Sequence, residues 1–119
     1  MGMLQTMKSF LPKPAQPVHP DLAFDDTGFS SNGKPSWRAA WSEVRRITAY
    51  KIDLFTVDEI RVEFALQSGD ALVIAEESPG FEALMLELVQ RFPSATGWHG
   101  KVVQPAFASR VTVLYECAN

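Results

Sequence analysis

The side chains that could perform acid–base or metal chemistry are few in this chain and lie far apart in the sequence. The only histidines are His19 and His99, and Cys117 is the only cysteine. A single cysteine can form neither an internal disulfide bond nor a site with several thiolate ligands. A zinc site would have to recruit carboxylates around His99 alone. The sequence therefore predicts no metal and no cofactor.

Carboxylates are plentiful, and they fall at Asp25–Asp26, Asp53, Asp58–Glu59 and Glu76–Glu77. Paired carboxylates can have separated pKa values and act as an acid and a base. These pairs flank strands and turns, where acidic side chains are usually solvated. The chain also lacks the glycine-rich patterns that bind phosphates and the Gly-x-Ser-x-Gly pattern of a nucleophile elbow. The sequence favours a protein that is not an enzyme.

One local basic cluster consists of Arg45 and Arg46, with Arg38 and Lys51 nearby. Such a cluster could meet an anionic head group or an acidic partner. It could equally balance the charge of neighbouring acids such as Glu43. On a strand the two adjacent arginines point to opposite faces, so only one of them could serve a single patch.

Three tryptophans are the remaining candidates for a binding surface. Tryptophan is enriched at interaction hot spots, but it is also a normal core residue. We assign Trp41 and Trp98 to the core by default, whereas Trp37 follows a loop and is the most readily placed at an interface. The candidate binding residues are Trp37, Arg38, Trp41, Arg45, Trp98 and His99.

The composition is that of one soluble domain. The chain has 119 residues, of which 46% are apolar and 21% charged, close to the averages for globular proteins. No run approaches the about 20 apolar residues needed to span a bilayer. The net charge of −3 argues against a nucleic-acid-binding protein, which usually has a basic surplus. With no secretory signal pattern, we expect a cytoplasmic protein.

Charge and proline are unevenly distributed. Residues 1–20 contain four of the eight prolines and only two charges, Lys8 and Lys13. Because proline disfavours helix at the preceding residue, this segment is predicted to be an extended, partly disordered arm. Residues 21–119 contain 14 acids and 9 bases, a charge of −5, and are predicted to form one globular domain.

Apolar and polar residues alternate in several segments, which predicts strands. The strongest candidate is the hairpin of residues 60–67 and 71–76, with Ser68-Gly69-Asp70 as its turn. The other predicted strands lie within residues 21–29, 44–54, 98–104 and 111–116, with a loop at 30–36 and a turn or short helical piece at 105–108.

One amphipathic helix is predicted over about residues 79–92. Ser78 is the predicted N-cap, and Pro79 follows at the first helical position. Apolar residues then recur at helical spacing, at Phe81, Leu84, Met85, Leu88 and Val89. We expect this face to pack on the sheet, because a hairpin with one apolar face is not stable alone.

The chain resembles bacterial pleckstrin-homology-like (PH-like) domains at the level of pattern. The resemblance lies in Trp41 to Ile47 (WSEVRRI), Asp58 to Phe64 (DEIRVEF), the turn at Gly69 and the helix from Phe81 to Phe92. It implies a bent antiparallel sheet or partial barrel closed by a helix, and a role as a binding or assembly scaffold. The predicted fold is accordingly α+β, a curved antiparallel sheet packed on one main helix.

Three functions follow as hypotheses. The first is a non-enzymatic protein-interaction or regulatory module of a bacterial cytoplasm, self-associating through a sheet edge or the arm. The second is a small enzyme or ligand carrier with a pocket near Trp98, His99 and the carboxylate of Asp53 or Asp58. The third, and the least favoured, is binding to an anionic membrane through Arg38, Arg45 and Lys51.

Overall fold

The structure is a computed structural model that describes residues 19–53, 57–103 and 111–117. Most of the predicted arm therefore lies outside the described residues. The same holds for Leu54 at the end of the second predicted strand, for Phe55 and Thr56 after it, and for the turn predicted at 105–108.

Two antiparallel sheets and two helices make up the described chain, which is an α+β fold. In chain order the strands and helices are β1 (Leu22–Phe24), β2 (Gly28–Ser31), β3 (Trp37–Ala40), β4 (Val44–Asp53), β5 (Asp58–Leu66), β6 (Ala71–Ala75), α1 (Phe81–Arg91), α2 (Trp98–Val103) and β7 (Thr112–Glu116). Short 3-10 turns cover Trp41–Glu43 and Pro93–Ala95.

The strands do not form the single sheet that we predicted. β1, β2 and β3 form a three-stranded sheet, and the other strands form a four-stranded sheet in the order β6-β5-β4-β7. The smaller sheet also takes in Ser30 and Ser31, which we predicted to be loop. Each sheet keeps two edge strands, so the described strands do not close into a barrel.

The predicted hairpin of β5 and β6 is confirmed. Ile60, Val62, Phe64 and Leu66 are all buried, as the alternation predicts. The face that β4 buries is set by this neighbour, because residues directly opposite in an antiparallel pair point to the same side. Ile47 lies opposite Phe64 and Ala49 opposite Val62, and both are fully buried.

The alternation that predicted β4 ran through Thr48, Tyr50 and Ile52, which lie on the other, half-buried face. For β7, the alternation groups Val111, Val113 and Tyr115 on one side of the strand without fixing which side is buried. Its register against β4 slips between Ile47 and Thr48, and Leu114 becomes the buried residue while Val113 is exposed. An irregularity of one residue exchanges the two faces of a strand, and the apolar pattern does not reveal it.

Aromatic rings join the two sheets. Phe29 of β2 is completely buried, and its ring lies 4.6 Å from that of Phe64 and 4.7 Å from that of Trp41. The ring of Trp41 in turn lies 6.2 Å from that of Phe92, at the end of α1. The smaller sheet is therefore part of the same core as the larger one.

Helix α1 is confirmed, with a different start. Its N-cap is Gly80 in the left-handed region (φ +90°) and not the predicted Ser78, whose main-chain carbonyl accepts a hydrogen bond from the N–H of Phe81. Phe81, Leu84, Met85 and Leu88 are buried, and Val89 is half-buried. The Glu87–Arg91 pair closes at 2.7 Å.

Within the segment predicted as a strand over residues 98–104, the described residues Trp98–Val103 form a helix. α2 begins after Gly97, whose positive φ of +76° turns the chain. Trp98 and Val102 are one helical turn apart, and both belong to the core or pack against it. Packing of this one face outweighs the weak alternation in the sequence. Within the described residues, no helix has both the length and the apolar character needed to cross a membrane.

Candidate binding site

A groove of about 410 Å³ lies between α1 and α2. Helix α1 contributes residues from successive turns, because Phe81, Met85 and Val89 recur every four residues. The described residues that line the groove are Glu76, Phe81, Glu82, Met85, Leu86, Val89, Gln90, Trp98 and His99. We call this the helix groove.

Trp98 and His99 enter the helix groove from the start of α2. The ring of Trp98 meets the ring of Phe81 edge-on, with 6.0 Å between the centroids. His99 stands at 85° to Trp98, with 5.3 Å between the rings. Trp98 is half-buried and His99 is exposed. Both residues therefore line a groove, and they reach it from a helix rather than from the predicted strand.

The apolar wall of the helix groove is exposed at one position. Leu86 of α1 is 72% exposed, although it lies between the buried residues Met85 and Leu88. A large apolar side chain in water is unremarkable when isolated, but here it extends an apolar surface formed by Met85, Val89 and Trp98.

The charge at the rim of the helix groove is acidic. Glu76 and Glu82 are the acidic side chains among its described lining residues, and His99 lines it too. An oxygen of Glu76 accepts a hydrogen bond from the N–H of Ile60 at 2.8 Å, which fixes its position. Glu82 forms no ion pair with any residue that the structure describes. Asp53 and Asp58, which we expected near Trp98, do not line the groove.

The other predicted binding residues lie elsewhere. Trp41 is buried, and its indole N–H donates to the main-chain carbonyl of Asp25 at 2.9 Å. Trp37 is half-buried and lines a second groove of about 710 Å³, with His19, Pro20, Lys34, Pro35 and Val73 among its neighbours. The predicted aromatic residues therefore do not form one site. Trp98 and His99 line the helix groove, Trp37 lines the second groove, and Trp41 lies in the core.

The basic residues do not form a free patch. Arg38 pairs with Asp25 at 3.0 Å, Arg46 pairs with Glu116 at 3.2 Å, and Lys51 donates to the carbonyl of Val103. Arg45 occupies the bulge of β4 and is exposed. This arrangement favours local charge balance for most of the cluster.

Asp25 has the most perturbed acidity among the described groups. Its carboxylate accepts hydrogen bonds from the hydroxyl and the backbone N–H of Thr27, from Arg38 and from the N–H of Gly28. These donors favour the ionised form and hold the pKa of Asp25 well below its usual range. The side chain is 58% exposed and organises the turn between β1 and β2, so we assign it a structural role.

The residues missed by the sequence analysis are those that α1 adds to the site. One signal in the sequence could have indicated them: Leu86 is an apolar residue on the otherwise polar face of the predicted helix. Among the residues that the structure describes, no three His, Cys, Asp or Glu side chains are grouped as metal ligands would be.

Comparison with family models finds no match to the chain, and no significant match is found among the curated proteins or the solved structures. The likeness to PH-like domains therefore stays a prediction.

Proposed function

We propose that this protein is a non-enzymatic interaction module of the cytoplasm, and that the helix groove holds an apolar segment of a partner polypeptide. The observation that carries the proposal is Leu86, 72% exposed beside Met85, Val89 and Trp98. An apolar face of this kind between two helices suits a partner helix whose apolar side chains recur at i, i+3 and i+4. A scaffold role of the PH-like kind agrees with this use of the surface.

The charge of the helix groove selects among such partners. Glu76 and Glu82 stand at its rim, and the described lining residues include no lysine or arginine. Residues 21–119 carry 14 acids and 9 bases, a charge of −5. A partner that places lysine or arginine beside its apolar residues gains favourable charge pairs and faster association. The same charges disfavour an anionic membrane surface.

A small-molecule ligand is the second candidate function. Its support is the groove volume of about 410 Å³, within the range of about 300–1,000 Å³ typical of ligand pockets. An apolar compound that carries an amine would use the same wall and the same carboxylates. We favour the polypeptide because the exposed Leu86 extends the apolar surface beyond an enclosed pocket.

The experiment uses the full chain and two synthetic amphipathic helical peptides, identical except that one carries lysine where the other carries glutamate. Binding is measured by isothermal titration calorimetry with the wild type, Leu86→Lys and Val113→Lys. Leu86 and Val113 are both exposed apolar residues, and only Leu86 lines the helix groove. Each substitution adds one positive charge, so the two variants have the same net charge.

We expect the lysine peptide to bind more tightly than the glutamate peptide. Leu86→Lys is expected to weaken the lysine peptide at least about tenfold relative to Val113→Lys, because it removes apolar surface and adds a like charge. Equal weakening by the two variants would mean that the peptide senses only net charge and would overturn the proposal. Equal binding of the two peptides would overturn the predicted preference for a basic partner.

A further inference from the structure

The groove beside Trp37 carries a second inference that is independent of the helix groove. We call it the Trp37 groove, and its described lining residues are His19, Pro20, Asp21, Ser31, Asn32, Gly33, Lys34, Pro35, Trp37 and Val73. Its lining comes from both sheets, since Trp37 begins β3 and Val73 lies in β6. Val73 is 43% exposed, and Trp37 is half-buried.

Hydrogen bonds and a close packing contact hold Pro20 and Asp21, near the first described residue, against the Trp37 groove. The N–H of Asp21 donates to the side-chain oxygen of Asn32 at 2.7 Å, and the N–H of Asn32 donates to the carbonyl of Asp21 at 3.1 Å. Pro20 packs so closely on Gly33 that a Cβ at residue 33 would lie 2.9 Å from the Cβ of Pro20. The segment before residue 19 therefore leaves from one wall of this groove.

That segment has the proline spacing of a polyproline II ligand. Pro14, Pro17 and Pro20 recur every three residues in the sequence PAQPVHP. A polyproline II helix has three residues per turn, so these three rings would form one ridge. Pro12 is out of this register. Proline-rich segments with this spacing dock into grooves lined by aromatic side chains.

The Trp37 groove offers both features that such a ridge needs. Proline rings pack on flat aromatic surfaces. The ring of Trp37 makes an edge-on contact with the ring of Phe29, with 5.7 Å between the centroids, and this contact fixes its orientation. A polyproline II backbone makes no internal hydrogen bonds, so its carbonyls need donors. The indole N–H of Trp37 and the ammonium group of Lys34 are donors that make no hydrogen bond to any described residue.

We propose that the Trp37 groove binds the Pro14–Pro17 ridge of its own chain, continuing the contact that Pro20 makes with Gly33. The tether favours this occupant over a second copy. A chain extends at most about 3.6 Å per residue, which keeps Pro17 within about 11 Å of Pro20. A tether this short gives the ridge an effective concentration of the order of millimolar at the groove, without any partner.

The test is nuclear magnetic resonance on the full chain labelled with ¹⁵N. We expect nuclear Overhauser contacts between the indole of Trp37 and the rings of Pro14 or Pro17. We also expect backbone order parameters near about 0.85 for Ala15, Gln16 and Val18, falling below about 0.6 in the double variant Pro14→Ser, Pro17→Ser. These substitutions lie outside residues 21–119, which are predicted to form the globular domain, so we expect the variant to fold.

Pro12→Ser is the matched control, since it removes a proline outside the three-residue register. It should leave the indole signal of Trp37 and the three order parameters as in the wild type. Low order parameters in the wild type, or equal effects of the control and the double variant, would overturn the proposal. Contacts that are seen only between differently labelled chains would assign the ridge to a second copy and overturn binding within one chain.

Discussion

The indole N–H of Trp41 donates to the main-chain carbonyl of Asp25 at 2.9 Å, and this hydrogen bond joins the turn of the smaller sheet to the core of the larger one. The same ring lies 4.7 Å from that of Phe29. The guanidinium of Arg91 stands over the Trp41 ring, 4.9 Å from its centroid. Trp41 therefore connects β2, the β1–β2 turn and the end of α1.

Replacing Trp41 separates the value of its ring from the value of its N–H. We expect Trp41→Ala to lower the free energy of unfolding by about 3–5 kcal/mol, because a buried ring is removed. Trp41→Phe keeps a ring but leaves the carbonyl of Asp25 without its donor, which costs about 0.5–1.5 kcal/mol for the hydrogen bond alone. Urea unfolding followed by circular dichroism measures both.

Trp98→Phe is the control for the Trp41 prediction. The indole N–H of Trp98 forms no hydrogen bond with a residue that the structure describes, and its side chain is half-buried. Its replacement should cost less than Trp41→Phe. Equal losses at the two positions would show that the Asp25 contact contributes nothing to stability.

The carboxylate of Asp25 makes stability depend on pH in acid. Its folded-state pKa is lowered, chiefly by the hydrogen bonds from Thr27 and then by Arg38 and Gly28. A group with a depressed folded pKa stabilises the fold fully above its unfolded pKa of about 3.9 and loses that contribution as the pH falls toward the folded pKa. Stability should therefore decline as the pH falls from about 5 to 3.

The pH prediction is checked with Asp25→Asn, which cannot titrate. Thermal unfolding at pH 7, 5, 4 and 3 should show a difference between wild type and variant that is constant at pH 5 and above and shrinks below it. Asp70→Asn is the control, since the side chain of Asp70 forms no ion pair with a described residue. A wild-type advantage over Asp25→Asn that is the same at pH 3 and pH 7 would rule out this linkage.

The elements with a strong apolar periodicity were predictable from the sequence. The short helix α2 and the bulges in the strand pairs were not. The hairpin of β5 and β6 and the buried face of α1 follow from apolar spacing, because burial decides both. α2 was missed because only six residues form it, and Trp98 packs on Phe81 through a turn at Gly97. The faces of β4 and β7 depend on bulges, which leave no apolar pattern.

The candidate site was predictable only in part. An aromatic residue beside a histidine marked Trp98 and His99, but the opposite wall depends on how α2 is placed against α1. Trp41 could not be separated from Trp37 by type or spacing, although one is in the core and the other is in a groove. Tertiary packing decides both outcomes.

Two glycines with positive φ should respond differently to alanine. Gly69 in the β5–β6 turn has φ of +99° and open space where a Cβ would stand, so Gly69→Ala should cost about 1–2 kcal/mol of backbone strain. Gly80 has φ of +90°, and its Cβ would overlap the carbonyl oxygen of Leu22. That overlap would also disturb the hydrogen bond from the N–H of Leu22 to the carbonyl of Pro79 at 2.8 Å.

The comparison of Gly80→Ala with Gly69→Ala isolates the contact between β1 and the start of α1. We expect the Gly80 variant to be the less stable of the two in urea unfolding, since it adds a clash to the same strain. Amide hydrogen exchange should show the extra loss at Leu22. If the two variants are equally stable, β1 is not packed against the helix as described.

Two leucines on α1 test whether the helix is stabilised by its buried face. Leu84 is completely buried and Leu86 is 72% exposed, although only one residue separates them. Leu84→Ala leaves a cavity and should lower the free energy of unfolding by about 2–5 kcal/mol, whereas Leu86→Ala should change it by less than about 0.5 kcal/mol. The substitution is chemically identical and both residues are helical, so helix propensity cancels between the variants. Chemical unfolding of both, with the slope of each transition compared, measures the difference. A similar loss at both positions would mean that Leu86 is covered in solution, and the helix groove would then not be an open surface for a partner.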